Sequence, residues 1–364
     1  MAALSEPEAA IRAWQAWQAE ETFETTDRGS KRLMPLVYNN LKPFVSVAGT
    51  MSDLRGYYQH IRLTNKLLLF KLEEVLALLE THRIPALVLK GAALTTQVYR
   101  DPGLRPMIDL DVAVPRDCAH RIVDVLSEGG WAYECGRPLP PAAGFDQIRT
   151  LRFENDDGVE LDLHFALFPE ALDWPAVLPF WADAVPLQVG RQSALTLSAT
   201  DHLLHVLVHG NRAHRTMPPI RWVADAVWLL RSEAAIDWQR LIERARNLDF
   251  QHSLSAALRY LVDRHAVCVP GWVMFELGKH GSFRSVLQHQ MRLHPRFAAI
   301  VKYPGSLHFR WRWLFLHWRN YAMQEGAPGK TATIRGFLEY VRARWSARNL
   351  KRAAGLAVRR FLVP

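Results

Sequence analysis

Hydrophobic and polar positions follow two different periods along this chain, and the points where the period switches divide it into three stretches. In the first, Leu68, Leu72, Val75, Leu76 and Leu79 recur at helical spacing, predicting a long amphipathic helix from Asp53 to Thr81. Ser5 and Glu8 stand at capping-box spacing ahead of an Ala/Trp-rich helix. The texture changes at Arg83. Ile84–Leu89 reads as a short apolar strand, Ala92–Tyr99 as a helix, and Arg100–Pro106, with its glycine and prolines, as a loop. Ile108–Val114 (IDLDVAV) alternates strictly and is the clearest strand. A helix over Asp117–Ser127 follows, then strands near Ala132–Glu134, Ile148–Glu154, Val159–Phe165, Ala184–Val189 and Ala194–Leu197. Ser198 and Asp201 then cap a helix carrying His202, His205 and His209, and Pro218-Pro219 opens another through Trp222, Asp225 and Leu229. The expected class is α+β: an N-terminal helical region (1–82), an α/β core (83–198) and a C-terminal helical domain (199–364).

Composition narrows this picture. Hydrophobic residues make up 49% of the 364 and charged residues 22%, which excludes a disordered or low-complexity chain. Three widely spaced cysteines exclude a disulfide framework or cysteine zinc site and suit a cytoplasmic protein. No apolar run reaches the ~20 residues of a membrane span, and the opening residues do not read as a secretory signal. The net charge of +9 is concentrated at one end: residues 301–364 carry 13 Lys/Arg against 2 Asp/Glu. Basicity therefore gives no reason to assign nucleic-acid binding to the whole chain.

The strand IDLDVAV places Asp109 and Asp111 on one face, about 6–7 Å apart at ~3.3 Å per residue, and its aliphatic residues on the other. In VELDLHF the same alternation puts Glu160, Asp162 and His164 on one face. If the two strands are neighbours, their acids converge, and a hard divalent cation with oxygen ligands resolves the repulsion. The plainer alternative is a half-exposed sheet with solvated acids. Nearby, Lys90-Gly91-Ala92 sits where a strand turns into a helix, a place that offers backbone N–H groups to phosphate. Arg105, in a proline-stiffened loop, can fork onto phosphate oxygens.

The string LVLKGAALTTQVYRDPGLRPMIDLDVAV closely resembles bacterial uncharacterised nucleotidyltransferases of the DNA polymerase β-type superfamily. ELDLHF, DHLLHVLVHG and RWVADAVWLL extend the resemblance over roughly residues 65–232. It implies a nucleotidyltransferase core with a mixed sheet, flanked by the two helical regions. It also implies that Asp109 and Asp111 are paired metal ligands, with Asp162 as the third, able to help take the acceptor proton. Lys90, Gly91 and Ala92 would form the phosphate turn and Arg105 a phosphate clamp. Two departures stand out. Ala92 replaces the second Gly or Ser of the usual turn, and residues 93–108 make a longer gap before the first Asp.

The activity so implied is transfer of a nucleoside monophosphate from an NTP to a hydroxyl by a two-Mg2+ mechanism, with Mn2+ as the alternative cation. The acceptor is a small molecule, sugar, peptide or RNA. Two alternatives remain: a metal-dependent sugar transferase using Asp109 and Asp111, which calls for a doubly wound half before the pair, and a non-catalytic binding module.

His205 and His209 stand at i, i+4, a zinc-capable spacing, but with no HExxH and no evident third ligand a structural or pocket role is the better reading. His209 and His214 are expected near the nucleotide or acceptor, Asp225 is expected to pair with one of them, and His164 to orient Asp162 or to pack at the strand end. The aromatic, basic segment His308–Trp318 and the arginines after it could meet an anionic membrane or RNA, or simply pack on the core.

Overall fold

The computed structural model describes residues 1–46, 49–133, 149–168, 174–210, 220–279 and 285. His214, Pro218-Pro219 and the basic C-terminal segment lie outside the described residues.

Helices α1 (Pro7–Glu20), α2 (Arg28–Lys31), α3 (Met34–Leu41) and α4 (Thr50–Thr81) precede β1 (Leu87–Val88), α5 (Lys90–Leu94), β2 (Asp109–Ala113) and α6 (Ala119–Glu128). Then come β3 (Trp131–Tyr133), β4 (Thr150–Asn155), β5 (Glu160–His164), α7 (Trp174–Ala182), β6 (Val185–Val189) and β7 (Gln192–Thr196). Helices α8 (Ala199–Gly210), α9 (Arg221–Arg231), α10 (Trp238–Asn247), α11 (Gln251–His265) and α12 (Gly271–Lys279) complete the described order. The expected α+β class is therefore found, built on a mixed sheet.

Two local expectations shift. Ser5 does not cap α1. The N-cap is Glu6, with no side-chain cap, because Pro7 opens the helix with its φ already fixed. The helix expected at Ala92–Tyr99 begins at Lys90 and widens into a π-helical turn over Thr95–Tyr99, closed by Arg100 in the left-handed region. The wider turn shifts the side chains after Leu94 out of α-helical phase, and Tyr99 faces the core.

The seven strands run β3-β4-β5-β2-β1-β7-β6. β2 lies parallel to β5 and β1 parallel to β7, while the remaining pairs are antiparallel. Alternation decides what each face meets. Leu110, Val112, Leu151, Phe153, Leu161 and Leu163 are buried with Leu68, Leu72 and Val75 of α4 and Ile122 and Leu126 of α6. Burying a side chain of this kind stabilises by roughly 1.5–3 kcal/mol. That anchored face forces Asp109, Asp111, Asp162 and His164 to the other. There Leu87, Leu89 and Ala113 join a second core, in which Leu4 and Trp14 from the first helices pack with Leu203, Leu207, Val227 and Leu258 from the last.

Candidate active site

Strand register brings the acids together. On the parallel pair β2–β5, Asp111 stands opposite Asp162, Asp109 opposite Glu160 and Ala113 opposite His164. Potential ligand atoms of Asp111, Asp162 and His164 all lie within 4.8 Å of one another. Asp109 lies outside that triplet, two residues back along the same face.

Each acid has a different electrostatic setting. Asp111 is 3% exposed, and one carboxylate oxygen accepts from Lys90 Nζ and meets His164 Nε2 at 2.7 Å. Burial opposes its charge, but Lys90 and His164 outweigh burial and hold the carboxyl far below the usual range. An ionised carboxylate only accepts, so Nε2 of His164 carries the proton and Nδ1 faces the Thr150 hydroxyl at 3.3 Å. His164 thus orients Asp111 rather than Asp162. Asp162 accepts from Arg152 Nε at 3.0 Å, and the same guanidinium reaches Glu160 at 3.5 Å. Asp109 has no side-chain hydrogen bond among the described residues, and burial, reinforced by the charge of Asp111, raises its pKa. A desolvated carboxylate beside a second, ionised one is the setting a divalent cation relieves. The donors are mostly hard oxygens, as Mg2+ or Mn2+ requires, so the residues fit such an ion.

Beside Asp109 and Asp111 opens a cavity of about 400 Å³, also lined by Arg32, Lys90, Gly91, Arg105, Ile108, His205, His209, Arg221, Trp222 and Asp225. Asp162 and His164 do not line it and adjoin it through Asp111. Lys90 adopts a positive φ of 48°, which aims its ammonium at Asp111 across the strand end. Gly91 packs tightly: a Cβ there would approach Arg105 Nη1 at 3.0 Å and Met107 Cγ at 3.1 Å, so these side chains would have to give way. Ala92 is buried in the core behind the turn.

Arg105 departs from its expected role. It is 4% exposed, and its Nε and Nη2 donate to Asp225 at 2.8 and 2.9 Å. The fork expected to hold phosphate already holds a carboxylate. Asp225 accordingly pairs with Arg105, not with the expected histidines, and also accepts from Tyr99 Oη at 2.8 Å. Arg105 holds the Asp225 carboxyl low despite complete burial.

The loop around Arg105 is clamped by residues that sequence reading passed over. Asn65, fully buried on α4, donates to the carbonyls of Pro102 and Arg105 and accepts from Met107 N. Asp101 accepts from Tyr58 Oη and Gly103 N, both at 2.8 Å. A Cβ on Gly103 would lie 2.3 Å from the Tyr58 ring. The Y-x-D-P-G-x-R-P-M string therefore acts as a brace that delivers β2 to its place. A signal for Asn65 was available: it is the polar member of the apolar series Ile61, Leu68, Leu72.

His205 and His209 stack at 5.2 Å along α8 and both line the cavity, while His202 is buried behind them on Thr196. Burial pulls His202 down to about 4 and His205 to about 3, so both are neutral. No third ligand joins them into a metal cluster among the described residues.

A mixed sheet that pairs two Asp-bearing parallel strands beside a basic cavity is the layout expected of a nucleotidyltransferase core. The sequence comparison agrees: the uncharacterised nucleotidyltransferase family matches residues 29–264, more than half of the chain, and the chain belongs to that family. No curated protein matches significantly. Among solved structures, an antigenic nucleotidyltransferase-like protein from Paracoccidioides brasiliensis aligns at 12% identity and a TM-score of 0.34, covering 63% of this chain and 96% of that one.

Proposed function

We propose that this protein transfers a nucleoside monophosphate from an NTP to a hydroxyl of an acceptor, with Asp109, Asp111 and Asp162 holding the divalent cations. One observation carries this reading: Asp111 and Asp162 are direct register partners on parallel strands, with Asp109 on the same face. Bound there, Mg2+ or Mn2+ would neutralise triphosphate oxygens and make the acceptor hydroxyl more acidic.

The remaining work falls to the chain. His164 keeps Asp111 oriented from behind, leaving its outer face to the cavity. Lys90 neutralises Asp111, and its long stem would let the ammonium turn to phosphate where a bound cation supplied that charge instead. Asp162 accepts the hydroxyl proton. The acceptor oxygen bonds to the α-phosphorus, the bond to the bridging oxygen breaks, and pyrophosphate leaves with its charge. Positioning and charge stabilisation provide most of the acceleration. The sugar-transferase alternative needs a doubly wound half before the Asp pair. Among the described residues only helices and the two-residue β1 precede it.

A thermal-shift panel of ATP, GTP, CTP, UTP and UDP-sugars, with and without Mg2+, tests the assignment. Stabilisation by a triphosphate only in the presence of metal is expected. Response to UDP-sugars alone would replace this reading with the sugar transferase, and no response with the binding module.

A further inference from the structure

Charge pairing inside the cavity is incomplete. Four cationic side chains line it, Arg32, Lys90, Arg105 and Arg221, against Asp109, Asp111 and Asp225. Lys90 is taken by Asp111 and Arg105 by Asp225. Arg32 makes no side-chain hydrogen bond or ion pair among the described residues. Arg221 has only the Pro106 carbonyl, 3.0 Å from Nη1, and no carboxylate within 4 Å among the described residues.

Both are held in place. Asp27 caps α2 by accepting from Gly29 N and Ser30 N, fixing the turn that carries Arg32. Arg221 is tethered by the braced loop that contains Pro106. Their surroundings penalise their charge. Burial, then Arg105, then Arg32 bring Arg221 down to about 10, with Asp225 and Asp109 opposing, and burial lowers Arg32 against the opposing charge of Asp109. Two half-buried guanidinium groups that feel the charge of Asp109 or Asp225 but form an ion pair with neither are costly unless an anion completes them.

We infer that Arg32 and Arg221 form a phosphate clamp, reaching in from the N-terminal arm and from α9 to seat a phosphate group in the cavity beside Asp109. The planar guanidinium fork suits phosphate oxygens. Cations on Asp109 and Asp111 would make the cavity strongly positive and increase its demand for a polyanion. The clamp rests on the proposed nucleotidyltransferase reading for its purpose but not for its existence, since it is built from two guanidinium groups that form no ion pair with an acid among the described residues. Its phosphate comes from one of two sources, the tail of the NTP or a phosphate on the acceptor.

Calorimetric titration of the full chain with pyrophosphate, without divalent metal, tests the clamp directly. The wild type should bind. Arg32→Gln and Arg221→Gln should each weaken binding by about tenfold or more, the loss of one charge-assisted contact. Arg221→Lys, which keeps the charge but not the fork, should fall between, and Lys42→Gln, exposed on the same arm, should match wild type. Melting curves establish that each variant is folded.

A second titration identifies the source. If Mg·ATP affinity falls with the pyrophosphate affinity, the clamp holds the nucleotide tail. If Mg·ATP is unaffected but inorganic phosphate binding to the Mg·ATP-loaded protein is lost, it holds the acceptor. Wild-type pyrophosphate affinity in both folded Gln variants overturns the clamp. If Mg·ATP still binds normally in them, the nucleotidyltransferase reading survives that result. Absence of any Mg·ATP binding by wild type sinks that reading, whatever the arginines do.

Discussion

Two carboxylate–cation clusters lie a few residues apart in this molecule and have opposite characters. In one, Asp225 is buried, receives both prongs of Arg105 and the Tyr99 hydroxyl, and has every strong donor it needs. In the other, Asp109 has no hydrogen bond or ion pair among the described residues, Asp111 shares one oxygen between Lys90 and His164, and Asp162 leans on the exposed Arg152. The first is complete and so acts as structure. The second is held by one buried histidine and by the longer, partly exposed side chains of Lys90 and Arg152, whose charges a bound cation can replace. Residue type does not separate the two. What separates them is whether the fold supplies a full counter-charge.

Removing one member of the complete cluster should have the largest effect. Asp225→Ala strands a buried guanidinium and should cost about 3–5 kcal/mol in urea unfolding. Arg105→Met with Asp225→Leu should recover much of this, because the buried charge goes with its partner. Failure to recover would mean that the pair does more than balance charge.

The brace comes next. Asn65→Leu leaves two carbonyls and one N–H of the loop without their partner and should cost about 1–3 kcal/mol. Metal-dependent nucleotide binding should weaken with it, since the loop sets β2. Unfolding midpoints and nucleotide titrations on the same preparations check both.

The incomplete cluster predicts the reverse sign. Burial and Asp111 disfavour the charge on Asp109, so Asp109→Asn should leave ligand-free stability unchanged or raised while abolishing metal-dependent nucleotide binding. A destabilised variant would place Asp109 in the structural class with Asp225.

The smallest effect is a pH slope. His202 and His205, at about 4 and about 3, stay neutral where unfolded histidines near 6.5 take up protons. Below about pH 6.5 the unfolded chain therefore binds more protons, and stability should fall as pH drops towards 4. His202→Gln should flatten that slope in melts across the range.

Much of the acidic face was legible in sequence. The alternation of IDLDVAV and ELDLH fixed which residues share a face, because the opposite face had Leu110, Val112, Leu161 and Leu163 to bury. Arg152 was partly legible: Leu151 and Phe153 alternate around it, but its place opposite Asp162 depends on the hairpin register. The Arg105–Asp225 pair joins residues 120 apart, and no local period reveals such a contact. Arg105 therefore read as a phosphate ligand with no sign of the carboxylate that its Nε and Nη2 hold. Arg32 and Arg221 were missed for the same reason, since only the tertiary fold shows which arginines lack an acid. The π-helical turn was hidden too, because Thr95–Tyr99 is too short for a shift of helical phase to stand out in the hydrophobic pattern.

The central claim is that acids from β2 and β5 jointly hold a divalent cation beneath a triphosphate. Titrating Mn2+ by paramagnetic relaxation into wild type and Asp162→Asn, each with and without ATP, tests it most directly. Asp162 lies at the rim of the cluster, 14% exposed, so the variant should fold. The account predicts tight, ATP-enhanced Mn2+ binding in wild type and a loss of at least tenfold in the variant. Equal Mn2+ affinity in the two proteins, with ATP present, would contradict it.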